Sequence, residues 1–148
     1  MGENNKLYHD TKKLLQSYRN QKMHLKVVEA GLEKGMLDYA KNFEWEIHAN
    51  ELEYNQKLLE IENEVLNMIK NIPEDGEKLY YILYKKYFEE NSEKLSDERI
   101  LELMYREKII KETLSKTTFY RYQKKAIQTY GQILWGALDN SLKDYREV

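Results

Sequence analysis

Two heptad repeats of mostly apolar residues occupy the first 72 positions and restrict this part of the chain to long helices. The first repeat interleaves two series, which are Leu7, Leu14, Gln21, Val28 and Thr11, Tyr18, Leu25, Leu32. Their alternating spacing of four and three is typical of a coiled-coil seam, although Thr11 and Gln21 are polar. The pattern predicts a helix from about Asn5 to Lys34.

The second repeat is more regular than the first. Its members step by four and three residues, and they are Tyr54, Leu58, Ile61, Val65, Met68 and Ile72. Beside them Leu52, Leu59 and Leu66 recur at intervals of seven and widen the apolar stripe. The repeat predicts a helix over about 43–72 that packs through this side against another helix. One candidate partner is the first helix, folded back through a short link as an antiparallel hairpin. The other candidate is a second copy of the chain.

The chain's one proline marks the clearest boundary. Pro73 disfavours helix at Ile72 and suits the first turn of a following helix. With one proline and six glycines in 148 residues, the chain has few turn signals, so we predict an all-α protein. We expect residues 1–72 to form a coiled-coil-like hairpin for oligomerisation or interaction, and residues 73–148 to form a separate helical module.

Three shorter helices are predicted after Pro73. The first covers about 75–90, with an inward side made of Leu79, Ile82, Leu83, Tyr87 and Phe88. Ser96 suits the N-cap of the second, which breaks near Tyr105 or continues through Ile110. Ser115 suits the N-cap of the last helix, which begins at about Lys116.

Catalytic and metal-binding motifs are lacking from the sequence. It has no cysteine, and His9, His24 and His48 lack the spacing of a zinc site. No phosphate-binding glycine loop or nucleophile motif occurs. We therefore expect no enzyme activity, cofactor or metal. No signal peptide or membrane-spanning run is recognisable, so we expect a cytoplasmic protein without a membrane partner.

Charge is unevenly distributed although the net charge is only −2. Acids outnumber bases by four over 74–98, whereas bases outnumber acids by five over 106–125. The basic stretch ends on the helix that Ser115 opens, where helix N–H groups, hydroxyls and cations would meet phosphate and base edges. The candidate DNA-binding residues are Ser115, Lys116, Thr117, Thr118, Tyr120, Arg121, Gln123, Lys124 and Lys125. An ordinary amphipathic helix with a solvated basic face fits the same pattern.

The stretch LSKTTFYRYQKKAI, from Leu114 to Ile127, resembles the second helix of the helix-turn-helix in ArpU/RinA-type phage transcriptional regulators. Those proteins are similar to region 4 of bacterial sigma factors. The upstream segments KLYYILYKKYFEE and LSDERILELM agree with this resemblance in kind, and it covers about 79–134. It implies that LSDERILELM is the first helix of the motif. One departure is that ten residues separate Met104 from Ser115, which predicts a first helix longer by about two turns or an inserted short helix.

The resemblance implies a sequence-specific regulator of phage or prophage late genes that binds the major groove of double-stranded DNA. It further implies a homo-oligomer, with a dimer favoured, and host RNA polymerase as a further partner. This interpretation requires that the cations of the last helix face outward and are not paired with carboxylates. The alternatives are a helical interaction protein, such as a phage adaptor or an inhibitor of a host protein, and a small DNA-packaging subunit.

Overall fold

Five helices make up the described part of the chain, which is all-α and contains no strand. A computed structural model describes residues 2–33, 45–90 and 95–146, with side chains over 6–31, 52–90 and 95–136. The helices are α1 (Gly2–Glu33), α2 (Trp45–Lys70), α3 (Gly76–Leu83), α4 (Asp97–Arg106) and α5 (Lys116–Arg146). A π-helical turn over Tyr84–Phe88 extends α3. None of the described helices combines the length and apolar character needed to cross a membrane.

The first two helices run in opposite directions along each other. The amide of Asn63 donates to the Tyr18 hydroxyl at 2.9 Å, and Gln56 donates to the Glu29 carboxylate at 2.9 Å. As the position in α1 increases from Tyr18 to Glu29, the matching position in α2 decreases. Residues 34–44, through which the predicted hairpin would turn, lie outside the described residues.

The buried side of α2 overlaps the predicted stripe only in part. Leu59 and Leu66, which widen that stripe, are buried together with Ile69, whereas Tyr54 and Met68 of the seam are 67% and 54% exposed. Val65 alone of that seam is fully buried. The prediction is therefore confirmed for Leu59, Leu66 and Val65 and wrong for Tyr54 and Met68. Glu62, which is buried in the middle of the true core side, interrupts the apolar pattern there.

One core cluster joins α1, α2, α3 with its π turn, and α5. Its buried members are Leu15, Tyr18, Leu59, Val65, Leu66, Ile69, Leu79, Leu83, Tyr87, Phe88, Ala126, Ile127, Tyr130 and Leu134. A smaller cluster joins α3, α4, the segment after α4 and the start of α5, through Tyr81, Ile82, Ile100, Met104, Ile110 and Phe119. Tyr122 packs against both clusters. The inward residues predicted for α3 are thus confirmed, and the division at Pro73 into two modules stays a prediction.

The turn between α2 and α3 is compact. We predicted that Pro73 lies in the first turn of a helix. It lies instead within this turn, because α3 begins only at Gly76. Glu74 has a φ of 70°. A Cβ at Gly76 would lie 2.7 Å from the Ile69 carbonyl oxygen, so the end of α2 and the start of α3 approach too closely for any other residue.

The π turn ends α3 against α1. Its wide ring is closed by the Glu89 N–H, which donates to the Tyr84 carbonyl at 2.8 Å. Arg19 of α1 donates to the carbonyls of Lys85 and Glu89 at 3.3 and 3.2 Å. These carbonyls would otherwise lack an intrahelical donor. Arg19, which belongs to α1, therefore caps the C-terminal end of the π turn.

A compact irregular segment, 107–115, connects α4 to α5. The break near Tyr105 is the predicted alternative that the structure supports, and neither a longer first helix nor an inserted helix is present. Ile109 donates to the Met104 carbonyl at 2.9 Å and Lys108 donates to Tyr105 at 3.2 Å, which is the Schellman pattern. Ile110 is buried, so the segment is anchored in the smaller cluster.

Candidate nucleic-acid interface

One side of the first half of α5 is exposed and carries the cations singled out in the sequence. We call it the basic face of α5 and define it by Thr117, Arg121, Lys124, Lys125 and Gln128, all of which are exposed. The opposite side is buried, since Phe119, Ala126, Ile127 and Tyr130 belong to the core clusters. Core packing therefore fixes which way the basic face points. Gln128, absent from the predicted set, follows Arg121 by seven residues, and this spacing could have identified it.

Ser115 caps the N-terminus of α5, which confirms the predicted N-cap. Its hydroxyl oxygen accepts from the Thr118 N–H at 3.2 Å, while the hydroxyl itself donates to the Thr118 hydroxyl at 2.9 Å. Thr118 is half-buried and Ser115 is exposed. The N–H groups of Lys116 and Thr117 precede the first intrahelical hydrogen bond of α5, at the positive end of the helix dipole. These groups are the local features that attract an anion.

Two predicted cations are paired with carboxylates. Lys116 lies 2.9 Å from the Glu98 carboxylate of α4, and both side chains are about three-quarters exposed. Lys125 lies 2.8 Å from Asp75 in the turn before α3. The hydrogen bonds to Glu98 and Asp75 raise the pKa of Lys116 and Lys125 above the usual lysine value. The requirement that the cations have no carboxylate partner is therefore not met at these two positions.

Arg121 and Lys124 satisfy that requirement. Both are exposed, and no carboxylate of the described residues forms an ion pair with either. They lie three residues apart on α5, which places both side chains on the basic face. Among the cations predicted to bind DNA, these two are positioned to take an external anion without first releasing a carboxylate of the described residues.

Gln123 is not on the surface. It is 7% exposed, and its Oε1 atom lacks a hydrogen-bond partner within the described residues. Its position four residues after Phe119 and seven before Tyr130 places it on the core side of α5. The prediction that Gln123 reaches a base edge was therefore wrong.

Tyr120 lies at the side of α5 that faces α4. It is 56% exposed. With Lys116 and Phe119 it lines a shallow cavity of about 130 Å³, whose other wall is Asp97, Glu98 and Leu101 of α4. Tyr120 and Lys116 thus belong to the junction of the two helices, beside the basic face.

The exposed side of α4 brings acidic groups close to the start of α5. Glu98 contacts Lys116, and Glu102 pairs with Arg99 at 3.0 Å and with Arg106 at 3.1 Å. Ile100 and Met104 pack into the same cluster as Phe119, which fixes α4 against the N-terminal part of α5. Glu98 offsets the charge of Lys116 at this end, so the part of the basic face from Arg121 toward Gln128 is the more favourable one for a polyanion.

The histidines and the buried acid lie apart from the basic face of α5. No group of three or more histidines, aspartates or glutamates is placed there to hold a metal ion. His9 and His24 are exposed, and the side chain of His48 lies outside the described residues. Among the residues whose side chains are described, Glu62 is the one buried acid, and burial raises its pKa to about 7. Its Oε2 atom has no hydrogen-bond partner among those residues.

Comparison with protein-family models, with curated proteins and with solved structures finds no match to this chain.

Proposed function

We propose that this chain is a sequence-specific DNA-binding regulator of transcription that places the basic face of α5 in the major groove. The observation that carries the proposal is that Arg121 and Lys124 are exposed on one helix face and have no carboxylate partner among the described residues. The resemblance to ArpU/RinA-type regulators directs the proposal to phage or prophage late genes. The hairpin followed by a helix-turn-helix of α4 and α5 is part of the same proposal.

The residues of the basic face divide into two roles. Arg121 and Gln128 have the donor geometry that reads guanine and adenine edges, and Lys124 suits a phosphate. Lys116 and Lys125 exchange their carboxylates for phosphates when DNA binds. The Lys116–Glu98 pair is about three-quarters exposed, so water and salt weaken it and its exchange costs little. In the other pair Asp75 is only 26% exposed, so the exchange at Lys125 costs more.

The segment between α4 and α5 adds charge at the same end of the molecule. Lys108 and Lys111 are exposed there. Because Ile110 anchors this segment in the smaller cluster, both lysines are held beside the N-terminal part of α5. They extend the positive surface along the backbone of a duplex that lies on the basic face.

The test is binding to duplexes selected from a random-sequence library, measured by fluorescence anisotropy at several salt concentrations. We expect the affinity for DNA to fall steeply as the salt concentration rises. Lys124→Ala is expected to reduce the slope of the logarithm of the binding constant against the logarithm of the salt concentration by about 1. Arg121→Ala is expected to cost about 1–3 kcal/mol on the selected sequence and to relax preference at one base pair. Lys13→Ala, which removes an exposed cation from α1, serves as the matched control. If no duplex is enriched over the library at any salt concentration, the proposal fails.

A helical interaction protein is the second candidate, and exposed apolar side chains favour it. Met23 and Val27 on α1 are each 65% exposed, away from the basic face. A protein that binds a host protein through α1 would retain purified host RNA polymerase or another target without DNA. Met23→Glu with Val27→Glu would abolish such retention and leave DNA binding unchanged.

A further inference from the structure

The helix α2 carries an apolar stripe that the core covers only at its edge. We call it the outer stripe of α2 and define it by Tyr54, Ile61 and Met68, which recur at intervals of seven. Tyr54 is 67% exposed, Met68 is 54% exposed, and Ile61 is half-buried at the edge of the core. A stripe with this period stays on one side of a helix that pairs with another helix.

Among the described residues, the main contacts of α2 with the other helices lie beside the outer stripe, which meets the core only at the edge of Ile61. Asn63, through which α1 is bonded, is two residues from Ile61 and so about 200° around the helix from the outer stripe. The core side of α2 is marked by Leu59, Leu66 and Ile69. Of the two partners that the heptad pattern predicts, the folded-back helix therefore occupies a different side, which leaves a second copy for the outer stripe.

The charges beside the stripe indicate the direction of pairing. Lys57 and Glu64 are exposed and flank Ile61, four residues before it and three after it. If two α2 helices cross antiparallel about Ile61, Lys57 of each copy lies near Glu64 of the second copy, and Tyr54 lies opposite Met68 of the second copy. In a parallel pair Lys57 would face position 62, where Glu62 is buried in the core. Charge complementarity therefore selects the antiparallel arrangement.

We propose that two copies of the chain associate through the outer stripe of α2 in an antiparallel, two-fold symmetric contact centred on Ile61. Each copy supplies the same surface, as a two-fold interface requires. Tyr54 and Met68 form a ring–thioether contact twice. Lys57, now 3.1 Å from Glu53 of its own helix, gains Glu64 of the second copy as a further partner. The inference is independent of DNA binding, because none of these residues belongs to the basic face of α5.

The first test is the mass of the full chain in DNA-free buffer, by sedimentation velocity over about a hundredfold range of concentration. The stripe spans about 21 Å, so we expect a small interface and a dimer that dissociates on dilution. Lys57→Glu and Glu64→Lys are each expected to raise the dimer dissociation constant about tenfold, because both symmetric ion pairs become repulsive. The double variant, Lys57→Glu with Glu64→Lys, is expected to restore the dissociation constant of the wild type. The control Lys13→Glu on α1 is expected to leave that constant unchanged.

Introduced cysteines test the geometry directly, because the chain has no cysteine of its own. Under mild oxidation, Ile61→Cys is expected to cross-link with itself, and Tyr54→Cys with Met68→Cys when the two variants are mixed. Tyr54→Cys alone is not expected to cross-link, because the two introduced cysteines of the dimer would lie about 21 Å apart, too far for a disulfide. The mixed pair tests the contact without altering the core. A monomer at every concentration, a larger ring, or a Tyr54→Cys self-cross-link would each overturn the proposal.

Discussion

Lys108 has a left-handed backbone conformation, which glycine adopts more readily than lysine. Its φ is 60°, and it occupies the C′ position of the Schellman turn that ends α4. A side chain in this conformation costs about 1 kcal/mol, because Cβ crowds the following carbonyl oxygen. We expect Lys108→Gly to raise the free energy of unfolding by about 1 kcal/mol in urea titrations.

The matched control for that substitution is Lys111→Gly in the same segment. Among the described residues other than glycine, only Glu74 and Lys108 have positive φ, so Lys111 has no such strain to relieve. We expect Lys111→Gly to leave stability unchanged or lower it, because glycine gains entropy in the unfolded chain. Equal gains from both substitutions would show that the effect comes from lost charge rather than from backbone conformation.

Glu62 makes stability depend on pH. Burial raises its pKa from 4.5 in the unfolded chain to about 7 in the folded one, so the folded state holds a proton that the unfolded state releases. Its contribution is most favourable below about pH 4.5 and is lost as pH rises through about 7. The loss amounts to about 3 kcal/mol at most.

The substitution Glu62→Gln is expected to remove this loss. Chemical denaturation at intervals between pH 4.5 and 8 should then give a flatter stability profile than the wild type. Glu62→Asp keeps a titrating carboxyl group at the same position and should retain the decline. A profile that is as steep in Glu62→Gln as in the wild type would mean that other groups produce it.

At the scale of single residues, the sequence predicted the helix N-caps correctly but did not always predict which side chains are buried. Ser96 and Ser115 were predicted as N-caps, and both accept the expected backbone N–H. An N-cap hydroxyl accepts from a backbone N–H group in the first turn of its own helix. Because both groups lie within four residues, no tertiary information is required to predict the contact. Gln123 was misplaced because its polar side chain was weighed above its spacing from Phe119 and Tyr130.

At the scale of the helices, α1 and α5 approach each other closely where Thr11 meets Gly131. A Cβ at Gly131 would lie 2.5 Å from the Thr11 hydroxyl oxygen. That oxygen already donates to the Leu7 carbonyl at 2.7 Å and accepts from the Trp135 indole at 2.9 Å. The small residue therefore allows a polar contact within an otherwise apolar helix pair.

We expect Gly131→Ala to lower the free energy of unfolding by about 1–3 kcal/mol, because α1 and α5 must separate or Thr11 must lose its bonds. Gly136→Ala is the matched control on the same helix, where nothing lies within 4 Å of the added Cβ. It should stabilise α5 by about 0.5–1 kcal/mol through helix propensity alone. Thermal unfolding of both variants would separate the two effects, and a stabilising Gly131→Ala would contradict the close approach.

The position of the helices was more predictable than the sides they bury. The long helices and the start of α5 at Lys116 follow from caps and periodicity, whereas the end of α4 at Arg106 was one of two alternatives that the sequence left open. On α2, the predicted apolar stripe was wide, and the pattern alone did not distinguish its buried edge, with Leu59 and Leu66, from its exposed edge, with Tyr54 and Met68. The true core side includes Glu62, whose burial depends on the contacts that α2 makes elsewhere in the chain. Such contacts are set by tertiary packing, which a single helix pattern does not specify.

On the scale of the whole molecule, the larger core takes buried residues from both sides of Pro73. We therefore expect one cooperative unfolding transition. Far-UV circular dichroism and the fluorescence of Trp135, followed in a Trp45→Phe variant, should give coincident curves. Two separated transitions would instead support independent modules over 1–72 and 73–148.

The hydrogen bond from Trp135 to Thr11 joins positions 124 residues apart in sequence. During translation, α1 leaves the ribosome first, yet its place in the core is completed only when α5 has been synthesised. Until then the apolar sides of the N-terminal helices are exposed and can associate with other unfolded chains. Exposed apolar surface of this kind is what chaperones bind. A premature stop before α5 would therefore yield a chain that is prone to aggregate rather than a shorter working protein.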